Sequence, residues 1–323
     1  MYLLIPVTLA IAAQASTAST IDQGRALTTM FYKGADTAVW ARFSDRMKQA
    51  LGKVESLSSL RAQVEEQAGV EQAVVDEKIE TVSGLQVYLR IARFSNAPGP
   101  MMVQWALGST GTVEGFFIRP VPREAPTERL DYATKTSLNL PFAGQWFVLW
   151  GGRTLAQNYH TVSVDQRFAY DILIQRRGSS HQGDGTRNED YYGFAQTLVA
   201  PAAGTVVGIE NGIEDNVPGV MNPKQPMGNH VIIDHGNGEF SFFAHFRKGS
   251  VAVKKGDALR AGDLLGLVGN SGNSSEPHLH YHLQDTAEFA KGRGLPAAFQ
   301  DYVADGQWVK RGEPVRGQVI EKR

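Results

Sequence analysis

Apolar residues between Ile21 and about Gly69 recur at helical spacing, as in Val39, Phe43, Met47 and Leu51, which predicts two or three helices with Asp36 as an N-cap. From about Val70 the period changes to two. Leu85, Val87, Leu89 and Ile91 alternate with Gln86, Tyr88, Arg90 and Ala92, and runs at 101–107 and 113–118 follow after turn signals. Helices followed by a strand meander predict an α+β module with an antiparallel sheet over residues 21–118. Residues 119–141 hold Pro120, Pro122, Pro126 and Pro141 among charged residues without periodicity, the pattern of a semi-rigid linker. Short strand-like runs between Gly-containing turns then continue to about residue 310, so residues 142–310 are expected to be all-β and 311–323 a tail. Two polar segments, 176–192 and 211–229, read as loops long enough to carry function.

The first twenty residues carry no charge. An apolar run from Leu3 to Ala13 precedes small residues, with Ala13-Gln14-Ala15 and Ser16-Thr17-Ala18 as cleavage sites, so residues 1–18 are expected to be a signal peptide. The expectation is export to the periplasm, cell envelope or extracellular space, a buried N-terminal helix being the competing reading. Pro6 and the short run argue against a stable membrane span.

A chain of 323 residues exceeds the usual size of one hydrophobic core, in line with two domains. A formal net charge of -1 gives no electrostatic footprint for nucleic acid. Cysteine is absent, so any metal must be held by His and carboxylate, and there are 8 histidines to consider. A glycosidase would need paired carboxylates flanking a cleft, and no such pair is assigned.

The segment from Pro277 to Leu283, PHLHYHL, is the most informative. Residues two apart on a strand share a face, so His278, His280 and His282 project together while Leu279, Tyr281 and Leu283 face the other way. Three adjacent imidazoles would repel if protonated and need partners if buried; a metal supplies a reason, and so would a solvent-facing strand. Upstream, Asn158-Tyr159-His160 precedes Asp171, an acid set in the apolar run FAYDILI from Phe168 to Ile174, where a carboxylate needs a partner.

At this point the chain resembles the LytM/lysostaphin-type zinc metallopeptidases. The resemblance is carried in order by GNHVIIDHGNG from Gly228, Ala244-His245-Phe246, VKKGD from Val253, AGDLLGLVGNSG from Ala261 and Pro277-His278-Leu279-His280. It covers roughly residues 140–310 and implies antiparallel sheets around an open cleft. It further implies that His160, Asp171 and His280 ligate Zn2+, with His245 and His278 as catalytic imidazoles beside it. Two His and one carboxylate leave a position for water, the arrangement of a catalytic zinc. Zinc would acidify that water and polarise the scissile carbonyl, one imidazole taking the proton and the other steadying the oxyanion, with His278 preferred as the base. The implied function is an exported zinc endopeptidase acting on peptidoglycan stem peptides or cross-bridges. The layout of residues 21–118 resembles, in pattern alone, the cystatin-like or nuclear-transport-factor-like domains that precede some cell-wall peptidases.

Three departures from the family pattern stand out. The interval between His160 and Asp171 is longer than is common, which makes Asp165 a rival ligand, although Asp171 has the apolar strand context. His282 stands where the family often has an acid; it is either a partner to a ligand or exposed, and the exposed reading is preferred. The loops 176–192 and 211–229 would wall the cleft, and His181 and His230, in or beside them, are not expected to be ligands. The VKKGD and AGDLLG motifs also resemble biotinyl and lipoyl carriers, but no lysine is presented at a hairpin turn. The standing alternative is a silent or latent family member acting as a cell-wall binding or regulatory module.

Overall fold

The computed structural model describes residues 7–82 and 84–323 and divides into two compact units, one ending at Val121 and the other beginning at Pro122. The first six residues of the expected leader lie outside the described residues, and the backbone from there runs in helix α1 (Val7–Tyr32). Among the described residues, no helix is long and apolar enough to cross a membrane.

In the first unit, α1 is followed by α2 (Asp36–Arg42), α3 (Asp45–Leu51) and α4 (Ser56–Ala68). The apolar spacing through Val39, Phe43, Met47 and Leu51 spans two helices, because Phe43 is extended and Ser44 caps α3 by accepting the Met47 amide at 3.3 Å. Asp36 is the first residue of α2 rather than its cap; its carboxylate instead accepts two bonds from Arg61, at 2.7 and 3.0 Å. Strands β1 (Glu71–Val82), β2 (Leu85–Phe94), β3 (Met101–Leu107) and β4 (Val113–Pro120) form an antiparallel meander in sequence order. Tyr88, Ala92, Phe94, Val103 and Trp105 share a core with Leu27, Phe31 and Leu57 from the helices, while Val87 and Leu89 cluster separately with Met102 and Ala106. Gly24 lets α1 approach β2 closely, since a Cβ there would fall 2.2 Å from the Tyr88 ring.

The second unit is all-β and antiparallel, as expected, with only two short 3-10 turns. Its strands are β5 (Gln145–Trp150), β6 (Tyr170–Leu173), β7 (Thr197–Val199), β8 (Gly204–Glu210), β9 (Asn229–Asp234), β10 (Phe240–Phe246), β11 (Ala258–Leu259), β12 (Leu264–Leu267), β13 (Leu279–Gln284), β14 (Gly294–Leu295), β15 (Phe299–Ala304), β16 (Gln307–Gly312) and β17 (Val319–Lys322). The main sheet runs β11-β8-β9-β10-β13-β6-β5-β17-β15-β16, with β14 on β13, while β7 and β12 pair separately. One face of β13 sends Leu279, Tyr281 and Leu283 into the core beside Tyr170, Ile172 and Phe243. The opposite face carries the histidines.

Two expected boundaries shift. The tail 311–323 contributes β17, which lies between β5 and β15 and buries Ile320 completely. Most of the expected linker 119–141 belongs to the second unit. Arg167 is buried and donates to the Ala125 carbonyl at 2.7 Å, and Leu138 and Leu140 enter the core. The buried Glu239 carboxylate accepts the backbone amides of Lys135 and Thr136 at 2.6 and 2.7 Å and the Tyr132 hydroxyl at 2.8 Å. Prolines that exclude helix and ladder pairing remain compatible with an extended strap whose amides are bound by a side chain.

Glu239→Gln should destabilise the second unit by about 1–3 kcal/mol, because one acceptor facing a buried amide becomes a donor. Burial alone would raise the Glu239 pKa, but the bonds from Lys135, Thr136 and Tyr132 outweigh it and hold it below the ordinary 4.5. A depressed folded value means the stabilisation is complete above 4.5 and fades as the pH falls from there through the folded value. Urea midpoints against pH should therefore fall more steeply below 4.5 for the wild type than for Glu239→Gln.

Candidate metal centre

The centre starts from strand register. β6 is buried throughout, so the Asp171 carboxylate, 4% exposed, has to find partners inside the protein. Antiparallel pairing sets Asp171 opposite His280 on β13 and His280 opposite Ala244 on β10. His280 Nδ1 lies 2.9 Å from Asp171 Oδ1. The Tyr159 hydroxyl donates to the other carboxylate oxygen at 3.2 Å.

His160 arrives on the 3-10 turn Tyr159–Val162, capped by Asn158. The fully buried Asn158 amide donates to the Gly152 and Ala169 carbonyls at 3.1 and 2.8 Å, which fixes the carboxamide orientation. Its oxygen then accepts the His160 backbone amide at 3.1 Å and the ring Nδ1–H at 2.8 Å. The lone pair is left on His160 Nε2, which is buried without a hydrogen-bond partner among the described residues and lies 3.6 Å from Asp171 Oδ2. His160, Asp171 and His280 each offer a ligand atom, all within 4.8 Å of one another. An imidazole nitrogen orphaned in the interior, facing a carboxylate and a second imidazole, fits a metal ion. Asp165 is also buried but lies outside this group.

The two imidazoles expected beside the centre are close to it. His278 Nδ1 faces the Glu276 carbonyl at 2.8 Å and its Nε2 lies 3.4 Å from Asp171 Oδ1. His245 Nδ1 faces the Ser271 carbonyl at 2.7 Å, and its ring centroid is 4.9 Å from that of His278 and 5.6 Å from that of His280. Each therefore commits a proton at Nδ1 to a carbonyl and keeps Nε2 for the centre. Ser271 reaches His245 because the 211–229 segment closes tightly on it: Gly228 has φ +58°, and a Cβ there would sit 2.5 Å from the Ser271 backbone.

Electrostatics separate these groups. Burial lowers the His160 pKa to about 3, and burial followed by the neighbouring His278 and His280 lowers His245 well below the usual imidazole range. For His278, burial works in the same direction but is outweighed by Asp171, so its pKa is raised. Burial would raise Asp171, but His160 and His278 outweigh it and hold the carboxyl well below its ordinary value.

His282 departs from the preferred expectation: it is buried, not exposed, stacked on Phe242 at 4.6 Å, with Nδ1 3.1 Å from His280 Nε2. Its β10 register partner Phe242, itself fully buried, covers one face of the ring. His181 lies against Tyr191 and His230 bonds the Gly228 carbonyl, and neither joins the metal-capable group. A cavity of about 80 Å³ opens on the centre, lined among others by Tyr159, Pro226, Met227, Asn273 and Phe289. Pro226 and Met227 come from the 211–229 segment, whereas the 176–192 segment acts from behind, with Ser180 bonded to Glu276 at 2.6 Å and Asn188 to Asn216 and Asn270. Sequence reasoning missed Asn158, Tyr159, Ser271 and Glu276 as supports. Ser271 lay within the AGDLLGLVGNSG motif and Tyr159 adjoined a candidate ligand, whereas nothing in the sequence marked Asn158 or Glu276 as a support.

Residues 190–291 match the model described as peptidase family M23, a stretch that includes His245, His278 and His280 and begins after His160 and Asp171. Over 65 residues the chain is 43% identical to the peptidoglycan DD-endopeptidase ShyA of Vibrio cholerae, which is 20% of this chain and 15% of that protein. Over 67 residues it is 40% identical to the DD-carboxypeptidase/endopeptidase Mpg of Neisseria meningitidis, 21% of this chain and 15% of that protein. The chain thus spans about one seventh of the length of these curated relatives. Among solved structures, a zinc containing peptidase from Vibrio cholerae is similar at 13% identity with a TM-score of 0.32, covering 68% of this chain and 59% of that one. Residues 190–291 of this chain therefore carry a match to peptidase family M23, and the curated proteins similar to the chain are peptidoglycan endopeptidases of the LytM type.

Proposed function

We propose that the chain is an exported zinc endopeptidase acting on the peptide part of peptidoglycan. The observation that carries this is the convergence of His160 Nε2, Asp171 and His280 within 4.8 Å, with that Nε2 buried and unpartnered. The names of the curated relatives support the substrate class, and the uncharged apolar start of the chain supports export.

In this reading, His160, Asp171 and His280 hold zinc, which when bound supplies a Lewis acid and acidifies a water molecule. His278 is the base. Its raised proton affinity and its Nδ1–H bond to Glu276 direct uptake of the water proton to Nε2, from which the proton passes to the leaving amine. His245 stays neutral, and its only proton is committed to Ser271, so its Nε2 accepts a hydrogen bond and aligns the water. That replaces the expected oxyanion-donor role, because a neutral ring bonded in this way has no second proton to give.

The full chain should bind one zinc and digest purified peptidoglycan in a chelator-sensitive way. Zinc binding without cleavage would overturn the substrate assignment. Because residues 122–136 pack into the peptidase unit through Ala125 and the Glu239 clasp, a fragment starting after them is unsuitable for this test. Asp171→Ala should lose zinc while Asp165→Ala keeps it; the reverse would reassign the ligand. His278→Ala should retain zinc and lose about 10²–10⁴-fold in kcat.

A second reading, latency, draws on the cavity at the centre. At about 80 Å³ it admits water, whereas ligand pockets run to roughly 300–1,000 Å³. Met227 and Phe289 line it and pack against one cluster. If they restrict entry, Met227→Ala and Phe289→Ala should raise kcat/KM on peptide substrates with unchanged zinc content. Unchanged or lower kcat/KM would exclude this form of latency.

A further inference from the structure

The sheet face that carries the histidines continues past the metal centre. His282 pairs with Phe242 across β13 and β10, Phe242 pairs with Ile232 across β10 and β9, and His230, two residues before Ile232, shares that face. Glu210 on β8 stands opposite His230. A second cavity, of about 340 Å³, opens over these residues and shares Met227 and Phe289 with the cavity at the centre. Ligand pockets run to roughly 300–1,000 Å³, a range this cavity enters and the one at the centre does not.

Its walls divide by chemistry. Ile213, Met227, Ile232 and Phe289 are apolar, while Glu210 and His230 bring polar atoms. Glu210 Oε1 accepts the Asn211 and Gly212 backbone amides at 2.8 and 2.9 Å, which fixes the carboxylate and leaves Oε2 open. The same two amides hold its pKa below the ordinary 4.5. The His230 Nδ1 proton goes to the Gly228 carbonyl at 2.9 Å, so Nε2 is an acceptor. Among the described residues that line the cavity, Glu210 alone is charged, since burial keeps His230 neutral. An anionic occupant would be repelled there, and a wholly apolar one would strip water from a carboxylate without replacing it. A chain that is apolar along its length and cationic at its tip satisfies both parts.

We propose that this cavity is a specificity subsite that takes, from a peptide bound across the metal centre, a long aliphatic side chain ending in an ammonium group. This rests on the endopeptidase reading and adds to it the kind of residue recognised near the cleaved bond. β8 lies three strand spacings from β13, ~14 Å, a distance that about four residues of extended peptide span. The recognised residue therefore stands within about four positions of the cleaved bond.

Binding and cleavage are read separately, both on the full chain. In the binding arm, n-pentylammonium, n-pentanol and n-pentanoate are the probes, followed through the methyl NMR signals of Ile213, Met227 and Ile232. Pentylammonium should shift these signals and bind about 2–5-fold more tightly than pentanol, with pentanoate weakest; high salt and Glu210→Gln should each remove that advantage. In the cleavage arm, a peptide that the wild type cuts is resynthesised with lysine, norleucine or glutamate at each position within four of the cleaved bond. At one position kcat/KM should fall in the order lysine, norleucine, glutamate, and Glu210→Gln should level the first two at unchanged zinc content. The methyl spectrum shows whether Glu210→Gln is folded; if it is not, the salt dependence and the pentanoate comparison on the wild type decide. The proposal is overturned by methyl signals that no probe shifts, by pentanoate binding as tightly as pentylammonium, by a lysine preference at no position, or by a folded Glu210→Gln that keeps the preference. Should the wild type cut no peptide, the endopeptidase reading falls, and the binding arm still decides what the cavity takes.

Discussion

A carboxylate buried among imidazoles is the constraint around which the second unit is organised. Asp171 is 4% exposed on a strand whose neighbours are apolar, and an anion there is tolerable only with donors or cations around it. Tyr159 and His160 from one segment and His278 and His280 from another meet it. The register of β6 against β13 brings the His280 contact. A one-residue slip would turn His280 toward the core and put Leu279 or Tyr281 in its place. Leu279, Tyr281 and Leu283 prevent that slip, since their burial in the main core fixes which face of β13 looks at the carboxylate.

Around this acid the imidazoles are oriented by acceptors on the far side of each ring. Asn158 does this for His160, the Ser271 carbonyl for His245 and the Glu276 carbonyl for His278. Each acceptor is itself restrained: Asn158 by two carbonyls, Ser271 by Gly228 and the Asn229 amide, and Glu276 by Ser180 and Ser274. The long polar segments thus serve the geometry of the site as well as its walls. Their Gly, Asn and Ser content follows from the need for tight turns and short side-chain bonds near a crowded centre.

These relations explain what could be read from the sequence. The period-two pattern of PHLHYHL placed His278, His280 and His282 on one face because alternation is a local property of a strand, and that face is the one turned to Asp171. The order of motifs carried the C-terminal family, whereas the exposure of His282 depended on Phe242, forty residues away and brought alongside by β10–β13 pairing. Asn158 looked like an ordinary loop residue, since its partners Gly152 and Ala169 mark no pattern. The proline-rich stretch read as a linker because composition registers the absence of periodic burial; it does not register that Glu239, about a hundred residues later, binds its amides. The tail was misjudged for a similar reason: four alternating residues are too few to signal a strand until β5 and β15 flank them.

His245 connects the geometry of the candidate centre to the width of the cavity that opens on it. Its φ of +65° is left-handed for a non-glycine residue, a conformation costing about 1–3 kcal/mol that persists only where the surroundings hold it. Its amide donates to the Met227 carbonyl, its own carbonyl accepts the Gly269 amide, and its ring bonds Ser271. Met227 therefore both lines the cavity and anchors the backbone of the imidazole across it. Moving the 211–229 segment away to admit a substrate would release the bond that keeps His245 strained and aimed. Rotation of the Met227 and Phe289 side chains widens the same space without touching that bond, so opening the cavity by side-chain motion keeps the His245 ring in place, whereas opening it by loop displacement would release it.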